Sequence, residues 1–132
     1  SAKGHDIAKN PSASAIFFWA EMQRQIRIEG TIKKISEKDS DEYYMERPKL
    51  SKIGAWASPQ SQVIRSRNEL EQLVEKFQKE FEKKELGRPP FWGGYKLEYE
   101  SIEFWQGRQG RLHDRFLYEK KFGSWEICRL AP

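Results

Sequence analysis

Two segments near the start of the chain have the hydrophobic patterns of β-strands. Residues 13–19, A-S-A-I-F-F-W, form a short, apolar and aromatic-rich run, which predicts a buried strand. Residues 23–35 alternate between polar and apolar positions, with isoleucines at positions 26, 28 and 32 near one face. Within this second segment, Gly30 predicts a bulge or a close approach of another part of the backbone.

Four more strands are predicted in the last third of the chain. They follow a loop, G-R-P-P-F-W-G-G-Y, whose glycines and prolines interrupt regular structure. The predicted strands cover residues 95–99, 101–106, 111–120 and 124–130.

Helices are predicted before and between these two groups of strands. Residues 3–10 predict a short helix that ends at Asn10-Pro11. Ser36 and Asp39 have the spacing of a capping box and predict a helix to about Glu46, which the following Arg47-Pro48 ends. Residues 49–65 predict a short helical turn and then an ordered loop.

The longest predicted helix begins at a second capping box, Ser66 to Glu69. Apolar residues follow at helical spacing, which predicts an amphipathic helix to about Glu85 with a solvated outer face (Leu70, Leu73, Phe77, Phe81). Helices inserted between runs of strands favour the α+β class, with an antiparallel sheet that is curled or closed into a barrel. Because no linker divides the chain, residues 1–132 are predicted to form a single domain.

Composition limits the classes of function. The net charge of +4 and the pI of about 9.2 suit a phosphate-bearing ligand or a nucleic acid without choosing between them. A single cysteine, Cys128, excludes an internal disulfide and a multi-cysteine metal site, and its strand pattern predicts a partly buried position. No run resembles a membrane span or a signal peptide, so we expect a cytoplasmic protein that contacts no membrane.

A cationic cluster lies in the segment G-R-Q-G-R-L-H-D-R. If this segment is a strand, Arg111, His113 and Arg115 share one face, while Leu112 and Asp114 lie on the other. Cationic groups on a partly enclosed face need an anionic counterpart, and Asp114 points away from that face. The pattern therefore predicts an anionic or electron-rich partner on this face.

A second candidate cluster joins the end of one helix to the start of the next. Tyr43 and Arg47 are four residues apart on one helical face, and Ser51 follows the proline turn. A guanidinium with two hydroxyls suits a phosphate monoester, although a surface Tyr-Arg pair beside a turn serine has the same spacing. Gln60-Ser61 lies in a donor-rich loop, and Trp105 taken alone fits a core position as well as a ligand stack.

Several enzyme classes have no motif in this chain. Zinc-protease, P-loop, dinucleotide-binding and nucleophile-elbow motifs are absent, and there is no Cys/His cluster for a metal. A nucleic-acid-binding module is the chief non-enzyme alternative, because basic strands with interleaved aromatics form stacking platforms. Against it, glutamates dilute the basic residues along the helices and no recognition signature is present, so we expect no nucleic-acid partner.

Longer strings of the sequence resemble one known family. R-Q-I-R-I-E-G, R-P-K-L-S-K-I-G-A-W-A-S-P-Q-S, F-W-G-G-Y, E-F-W-Q-G-R-x-x-R-L-H-D-R and the terminal R-L-A-P are similar to pyridoxine/pyridoxamine 5'-phosphate oxidases. The resemblance runs in unbroken order from residue 1 to residue 132. It implies an FMN-binding split β-barrel, antiparallel and Greek-key-like with flanking helices, and a homodimer with FMN at the subunit interface.

The resemblance also implies a reaction and a set of site residues. Such enzymes use FMN and O₂ to oxidise pyridoxine or pyridoxamine 5'-phosphate to pyridoxal 5'-phosphate. Substrate contacts are implied for six residues, of which Arg111 and His113 lie near the reacting carbon (Tyr43, Arg47, Ser51, Arg111, Leu112, His113). FMN contacts are implied for six others (Lys3, Gln25, Gln60, Ser61, Trp105, Arg115).

The sequence departs from the family pattern in two places. Ala2 stands where the family has an arginine that reaches FMN. The family also has an N-terminal portion with the first barrel strands, so this chain is expected to be the C-terminal portion and to form an incomplete barrel. The alternatives are a non-catalytic FMN- or pyridoxal-phosphate-binding protein of the same fold and, from another class, a basic RNA-binding module.

Overall fold

The computed structural model describes residues 1–132 and contains four helices and five strands. The helices are α1 (Ala2–Lys9), α2 (Glu37–Glu46), α3 (Lys49–Ala57) and α4 (Arg67–Lys83). The strands are β1 (Ser12–Trp19), β2 (Arg24–Lys34), β3 (Tyr95–Gln106), β4 (Asp114–Lys121) and β5 (Ser124–Leu130), with a 3₁₀ turn at Gln109–Arg111 between β3 and β4. No helix in the chain combines the length and the apolar character that crossing a membrane requires.

The strands form one antiparallel sheet in sequence order, β1-β2-β3-β4-β5. Register pairs Phe17 with Ile26 across β1 and β2, Trp105 with Arg115 across β3 and β4, and Leu117 with Cys128 across β4 and β5. The sheet is open, with β1 and β5 at its edges, and all three intermediate helices are inserted between β2 and β3. The predicted α+β class with an antiparallel sheet is confirmed.

The chain divides into two compact units. A helical unit contains residues 1–6 and 34–96, and a sheet unit contains residues 7–33 and 97–132. The interpretation of residues 1–132 as a single domain stays a prediction.

Local capping signals determine the helix boundaries in the helical unit. The Ser36 hydroxyl accepts the backbone N–H of Asp39 at 3.0 Å, and the Ser66 hydroxyl accepts that of Glu69 at 3.2 Å. Arg47 has an extended backbone, as expected for a residue before proline, so α2 ends there. Both predicted helix starts, at Ser36 and Ser66, and the predicted end of α2 are confirmed.

The core of the helical unit is small and lies between α2, α3 and α4. Tyr44, Ile53, Ala57 and Phe81 are its buried apolar side chains, and the Tyr44 hydroxyl donates to the carbonyl of Lys52 at 3.3 Å. Because Tyr44 is fully buried, this hydrogen bond satisfies a phenol that would otherwise be costly to bury.

In the sheet unit, Gly30 allows two strands to lie very close together. A Cβ atom built at Gly30 would lie 2.1 Å from the carbonyl oxygen of Glu98 and 2.8 Å from the Cα of Tyr99. No side chain fits at such a distance, so glycine is required there. The predicted close approach of another backbone segment is confirmed.

Four predictions about the strands are wrong. One is the start of β4, which begins at Asp114 and not at residue 111. The strands predicted at 95–99 and 101–106 form one continuous strand, β3, which runs from Tyr95 to Gln106 and includes Glu100. The run at 13–19 is a strand but not a buried one, since β1 is an edge strand and Phe17 and Phe18 are 50% and 60% exposed. Cys128 is exposed because β5 is the opposite edge.

Candidate functional site

Trp92 brings two of the predicted phosphate ligands together in the helical unit. The ring of Tyr43, on α2, stacks on the Trp92 ring with centroids 6.0 Å apart and an interplanar angle of 19°. The guanidinium of Arg47, at the C-cap of α2, lies over the same ring at 5.0 Å from its centroid. Ser51 lies in the first turn of α3, where its backbone N–H donates to the carbonyl of Pro48 at 2.8 Å. We call Tyr43, Arg47 and Ser51 the hydroxyl-guanidinium cluster.

Arg47 has an unusual hydrogen-bonding state. Its Nη1 atom is buried and has no hydrogen-bond partner in the protein. A buried, unpaired donor destabilises a protein by about 1–3 kcal/mol. A phosphate oxygen would supply the missing acceptor in a charge-assisted bond, which is the chemistry that this group is suited to.

Sequence reasoning missed the role of Trp92. It lies in F-W-G-G-Y, a segment that the sequence identified only as a loop and as part of a family resemblance. The loop is fixed by Arg88, which donates to the carbonyl of Trp92 and pairs with Glu37 and with Asp41, the latter at 2.7 Å. The signal that was available is a tryptophan between glycine- and proline-rich positions, where a large ring has no strand or helix to pack within.

In the sheet unit, three of the predicted FMN ligands share one face of the sheet. Trp105 on β3 lies directly opposite Arg115 on β4. Gln25 and Arg27 lie on one face of β2, and the Arg27 guanidinium bonds at 2.9 Å to Glu103, which is two residues from Trp105. Gln25, Trp105 and Arg115 therefore lie on the same face, which we call the cationic face.

The structure corrects the predicted cationic strand. Arg111 and His113 precede β4, which begins at Asp114, so they do not share a strand face with Arg115. The reason is a left-handed backbone at Gly110 and Arg111, with φ values of 65° and 62°, which closes the turn before the strand. Arg111 and Leu112 are exposed in this turn. Arg115 also has an anionic partner within the chain, because its Nε and Nη2 atoms donate to Glu103 at 2.9 and 3.2 Å.

His113 is held in one orientation by the turn that carries it. Its Nδ1 atom accepts the backbone N–H of Arg108 at 3.2 Å, and its ring lies 4.7 Å from the ring of Trp105. An imidazole that accepts at Nδ1 carries its proton at Nε2 in the neutral form. His113 is therefore presented as a hydrogen-bond donor through Nε2.

Asp114 closes the base of the same turn. Its carboxylate accepts from Arg108 at 2.8 Å and from Arg129 at 2.6 Å. The hydrogen bonds from Arg108 and then from Arg129 lower the pKa of Asp114 below its ordinary value, so the carboxylate is charged at neutral pH. This network ties both ends of the turn to β5 and limits where Arg111 and His113 can point.

The remaining predicted FMN ligands lie in the helical unit and are exposed. Lys3 is on α1, and Gln60 and Ser61 are in the loop after α3, where Ser61 has a left-handed backbone with φ of 66°. Gln60 lines a cavity of about 640 Å³ that does not include the hydroxyl-guanidinium cluster. In the sheet unit, Gln25 and Trp105 line a second cavity, of about 540 Å³, that does not include Arg115.

The open antiparallel sheet with inserted helices is shared with solved structures. PhzG from Burkholderia lata 383, crystallised in complex with tetrahydrophenazine-1-carboxylic acid, superposes with a TM-score of 0.88 at 30% identity, over 100% of this chain and 64% of that chain. A pyridoxamine 5'-phosphate oxidase-related, FMN-binding protein from Nostoc punctiforme superposes with a TM-score of 0.66 at 16% identity, over 100% of this chain and 69% of that one, which shows the fold alone. The class is the split-barrel fold that these solved structures share.

Sequence comparisons then show the family. Residues 1–80 match the family described as pyridoxamine 5'-phosphate oxidase, and residues 92–132 match the pyridoxine 5'-phosphate oxidase C-terminal dimerisation region. Pyridoxine/pyridoxamine 5'-phosphate oxidases from Microcystis aeruginosa and Aliarcobacter butzleri are each 53% identical over all of this chain. The chain belongs to the pyridoxamine 5'-phosphate oxidase family. It spans 62% and 63% of the lengths of those two relatives.

Proposed function

We propose that the protein is an FMN-dependent oxidase that converts pyridoxamine or pyridoxine 5'-phosphate to pyridoxal 5'-phosphate. The observation that carries the proposal is the buried and unpaired Nη1 of Arg47, whose guanidinium lies with Tyr43 against the ring of Trp92. A phosphate monoester offers oxygens to the guanidinium and to both hydroxyls, and its negative charge strengthens the hydrogen bond from Arg47 beyond what an uncharged acceptor supplies.

The residues assigned to FMN fit that cofactor by their donor chemistry. On the cationic face, Gln25 has an amide, Trp105 a flat ring and Arg115 two N–H groups that neither Glu103 nor the Ala131 carbonyl uses. In the helical unit, Lys3, Gln60 and Ser61 are exposed, and their side-chain donors suit anions and carbonyl oxygens. When bound, FMN supplies the redox chemistry, accepting a hydride from the substrate and passing the electrons to O₂.

The protein's own contribution is to bind and orient the substrate. Tyr43, Arg47 and Ser51 hold the phosphate and fix one end of the molecule. Arg111 and His113 contact the ring near the reacting carbon, with His113 donating from Nε2 because its Nδ1 is already an acceptor. Leu112, 72% exposed between them, covers the apolar part of the ring.

A homodimer is part of the proposal. Support comes from the match of residues 92–132 to a dimerisation region and from exposed apolar side chains on β5, where Trp125 and Ile127 are 40% and 59% exposed. Apolar groups on a sheet edge favour pairing with another surface. Sedimentation or light scattering of the FMN-loaded protein should give twice the mass of the chain, and a monomer that retains FMN would contradict this part of the proposal.

A second candidate substrate follows from the PhzG similarity. PhzG was crystallised with tetrahydrophenazine-1-carboxylic acid, a polycyclic carboxylic acid without a phosphate. The hydroxyl-guanidinium cluster favours the phosphorylated substrate, because a tetrahedral phosphate occupies three donors and a planar carboxylate two.

The test combines flavin retention with product analysis. The purified protein is supplied with FMN and then, in air, with pyridoxamine 5'-phosphate, pyridoxine 5'-phosphate or a reduced phenazine carboxylate. The proposal expects pyridoxal 5'-phosphate and hydrogen peroxide from the first two substrates. Bound FMN without any product would indicate a non-catalytic FMN-binding protein, and oxidation of the phenazine alone would support the second candidate.

A further inference from the structure

Glu103 on β3 is a buried carboxylate that lies between two arginines. Its residue is 5% exposed, in a sheet unit where most charged side chains are exposed. Arg27 on β2 donates to one carboxylate oxygen at 2.9 Å, and Arg115 on β4 donates to both, at 2.9 and 3.2 Å. Three neighbouring strands thus each contribute one member of a charged network across the cationic face.

This burial is favourable only because the carboxylate stays charged and paired. An unpaired buried carboxylate is strongly destabilising, while bidentate guanidinium bonds offset the loss of water. The hydrogen bonds from Arg115, followed by those from Arg27, lower the pKa of Glu103 below its ordinary value against the opposing effect of burial. Glu103 is therefore a fixed negative charge at neutral pH.

The hydrogen bonds of Arg115 leave its guanidinium one orientation. Nε and Nη2 donate to Glu103, and Nη1 donates to the carbonyl of Ala131 at 2.8 Å. An arginine has five N–H groups, so these three bonds leave two for a ligand. The direction of those two is determined by the plane of the guanidinium, which Glu103 fixes along one edge.

We propose that Glu103 is a positioning residue of the FMN site, and that it acts through Arg115. Its carboxylate holds the Arg115 guanidinium on the cationic face beside Trp105 and Gln25, so that the two remaining N–H groups point to where a flavin acceptor binds. Arg27 holds the other side of the carboxylate and prevents Glu103 from turning away. The inference rests on the proposed assignment of Arg115 to FMN.

The experiment measures FMN affinity and stability separately. FMN is titrated into the FMN-free protein while flavin fluorescence is followed, and the unfolding temperature of the FMN-free protein is recorded in parallel. Glu103→Gln keeps the shape but directs an amide N–H at a guanidinium, so we expect the Kd for FMN to rise by about tenfold or more. Glu103→Asp retains the charge and should restore part of the affinity. The control Glu126→Gln removes an exposed carboxylate on β5 that pairs with Lys121 at 2.9 Å, and should leave the Kd unchanged.

A double-mutant cycle distinguishes positioning from a general structural role. If Glu103 acts through Arg115, Glu103→Gln should change the Kd for FMN little in an Arg115→Lys background. The reason is that lysine lacks the guanidinium that Glu103 orients. Additive losses in the cycle, or a Kd within about twofold of wild type for Glu103→Gln with only a lower unfolding temperature, would overturn the inference.

Failure of the variant to fold, failure of wild type to bind FMN, and equal affinities have different consequences. If Glu103→Gln does not fold, Glu103→Asp takes its place in the cycle, and a loss of affinity that adds to that of Arg115→Lys overturns the inference. If the wild-type protein binds no FMN while the variants fold normally, the proposed function fails and this inference fails with it. FMN binding by wild type and by Glu103→Gln with equal affinity removes the inference alone.

Discussion

Replacing Arg47 by methionine should have opposite effects on stability and on ligand binding. In the ligand-free protein the Nη1 atom of Arg47 is buried without a hydrogen-bond partner, which destabilises the fold by about 1–3 kcal/mol. Methionine removes that donor and still packs against the ring of Trp92. The lost contact between the guanidinium and Trp92 contributes about 0.5–1 kcal/mol in the other direction. The free energy of unfolding should therefore stay unchanged or rise by up to about 2.5 kcal/mol.

Binding of a phosphate ligand should weaken in the same variant. A hydrogen bond to a charged group contributes about 1.5–3 kcal/mol, which corresponds to about a 10- to 150-fold rise in Kd. The ligand for the assay is pyridoxal 5'-phosphate, titrated by calorimetry, with pyridoxal as the phosphate-free comparison. The affinity for pyridoxal should be the same in wild type and in Arg47→Met, because only the phosphate contacts Arg47.

The matched control is Arg65→Met, the same substitution at an exposed position of the helical unit. It should change neither stability nor the affinity for pyridoxal 5'-phosphate. A lower unfolding temperature for Arg47→Met together with unchanged binding of pyridoxal 5'-phosphate would refute the reasoning, since Arg47 would then be a structural residue.

Three further predictions concern the sheet unit. Gly30→Ala places a Cβ 2.1 Å from the carbonyl oxygen of Glu98 and should destabilise the protein by about 3 kcal/mol or more in urea unfolding. The control Gly54→Ala, which has open space in α3, should stabilise the protein by about 0.5–1 kcal/mol. Equal effects of the two substitutions would contradict the close approach of the strands at Gly30. His113→Gln keeps a donor near the position of Nε2, whereas His113→Asn keeps only an acceptor near the position of Nδ1. His113→Gln should therefore retain more turnover than His113→Asn. The reverse order would show that the reaction uses Nδ1. Because the pKa of Glu103 is lowered in the folded state, its contribution to stability is present above the ordinary glutamate pKa of about 4.3 and is lost as the pH falls through the lowered value. Urea unfolding across this range should show a shallower acid limb for Glu103→Gln than for wild type, and parallel curves would mean that Glu103 is not preferentially charged in the folded state.

The elements that local signals specify were predictable from the sequence. Ser36 and Ser66 cap their helices as their spacing indicated, and the proline after Arg47 ends α2. β5 runs from Ser124 to Leu130 as predicted, and Gly30 lies at a close approach. For the helix caps and the end of α2, a few adjacent residues contain the whole physical reason, whereas Gly30 indicates a close approach without identifying the strand that approaches it.

The turn before β4 shows where periodicity misleads. R-L-H-D-R alternates like a strand, but Gly110 and Arg111 adopt left-handed backbone angles and the strand begins only at Asp114. Alternation of side chains does not distinguish a strand from a tight turn over three residues. The prediction that Arg111 and His113 share one strand face with Arg115 is therefore wrong.

Long-range partners were outside the reach of sequence patterns. The ring of Trp92 contacts both Tyr43 and Arg47 from a loop that lies about forty-five residues further along the chain. Glu103 has the pattern of an outward polar residue in a strand, and only the pairing of β2, β3 and β4 surrounds it with arginines. The candidate ligands were predictable by type, whereas the residues that hold them in place were not.

Oxidation of two amines that differ only in a phosphate tests the proposed function. The FMN-loaded protein is given pyridoxamine 5'-phosphate or pyridoxamine in air, and aldehyde and hydrogen peroxide are quantified together. We expect pyridoxal 5'-phosphate and peroxide in equal amounts from the phosphorylated amine, with kcat/KM at least about tenfold lower for pyridoxamine. Equal kcat/KM values for the two amines, or no aldehyde while FMN stays bound, would contradict the proposed function.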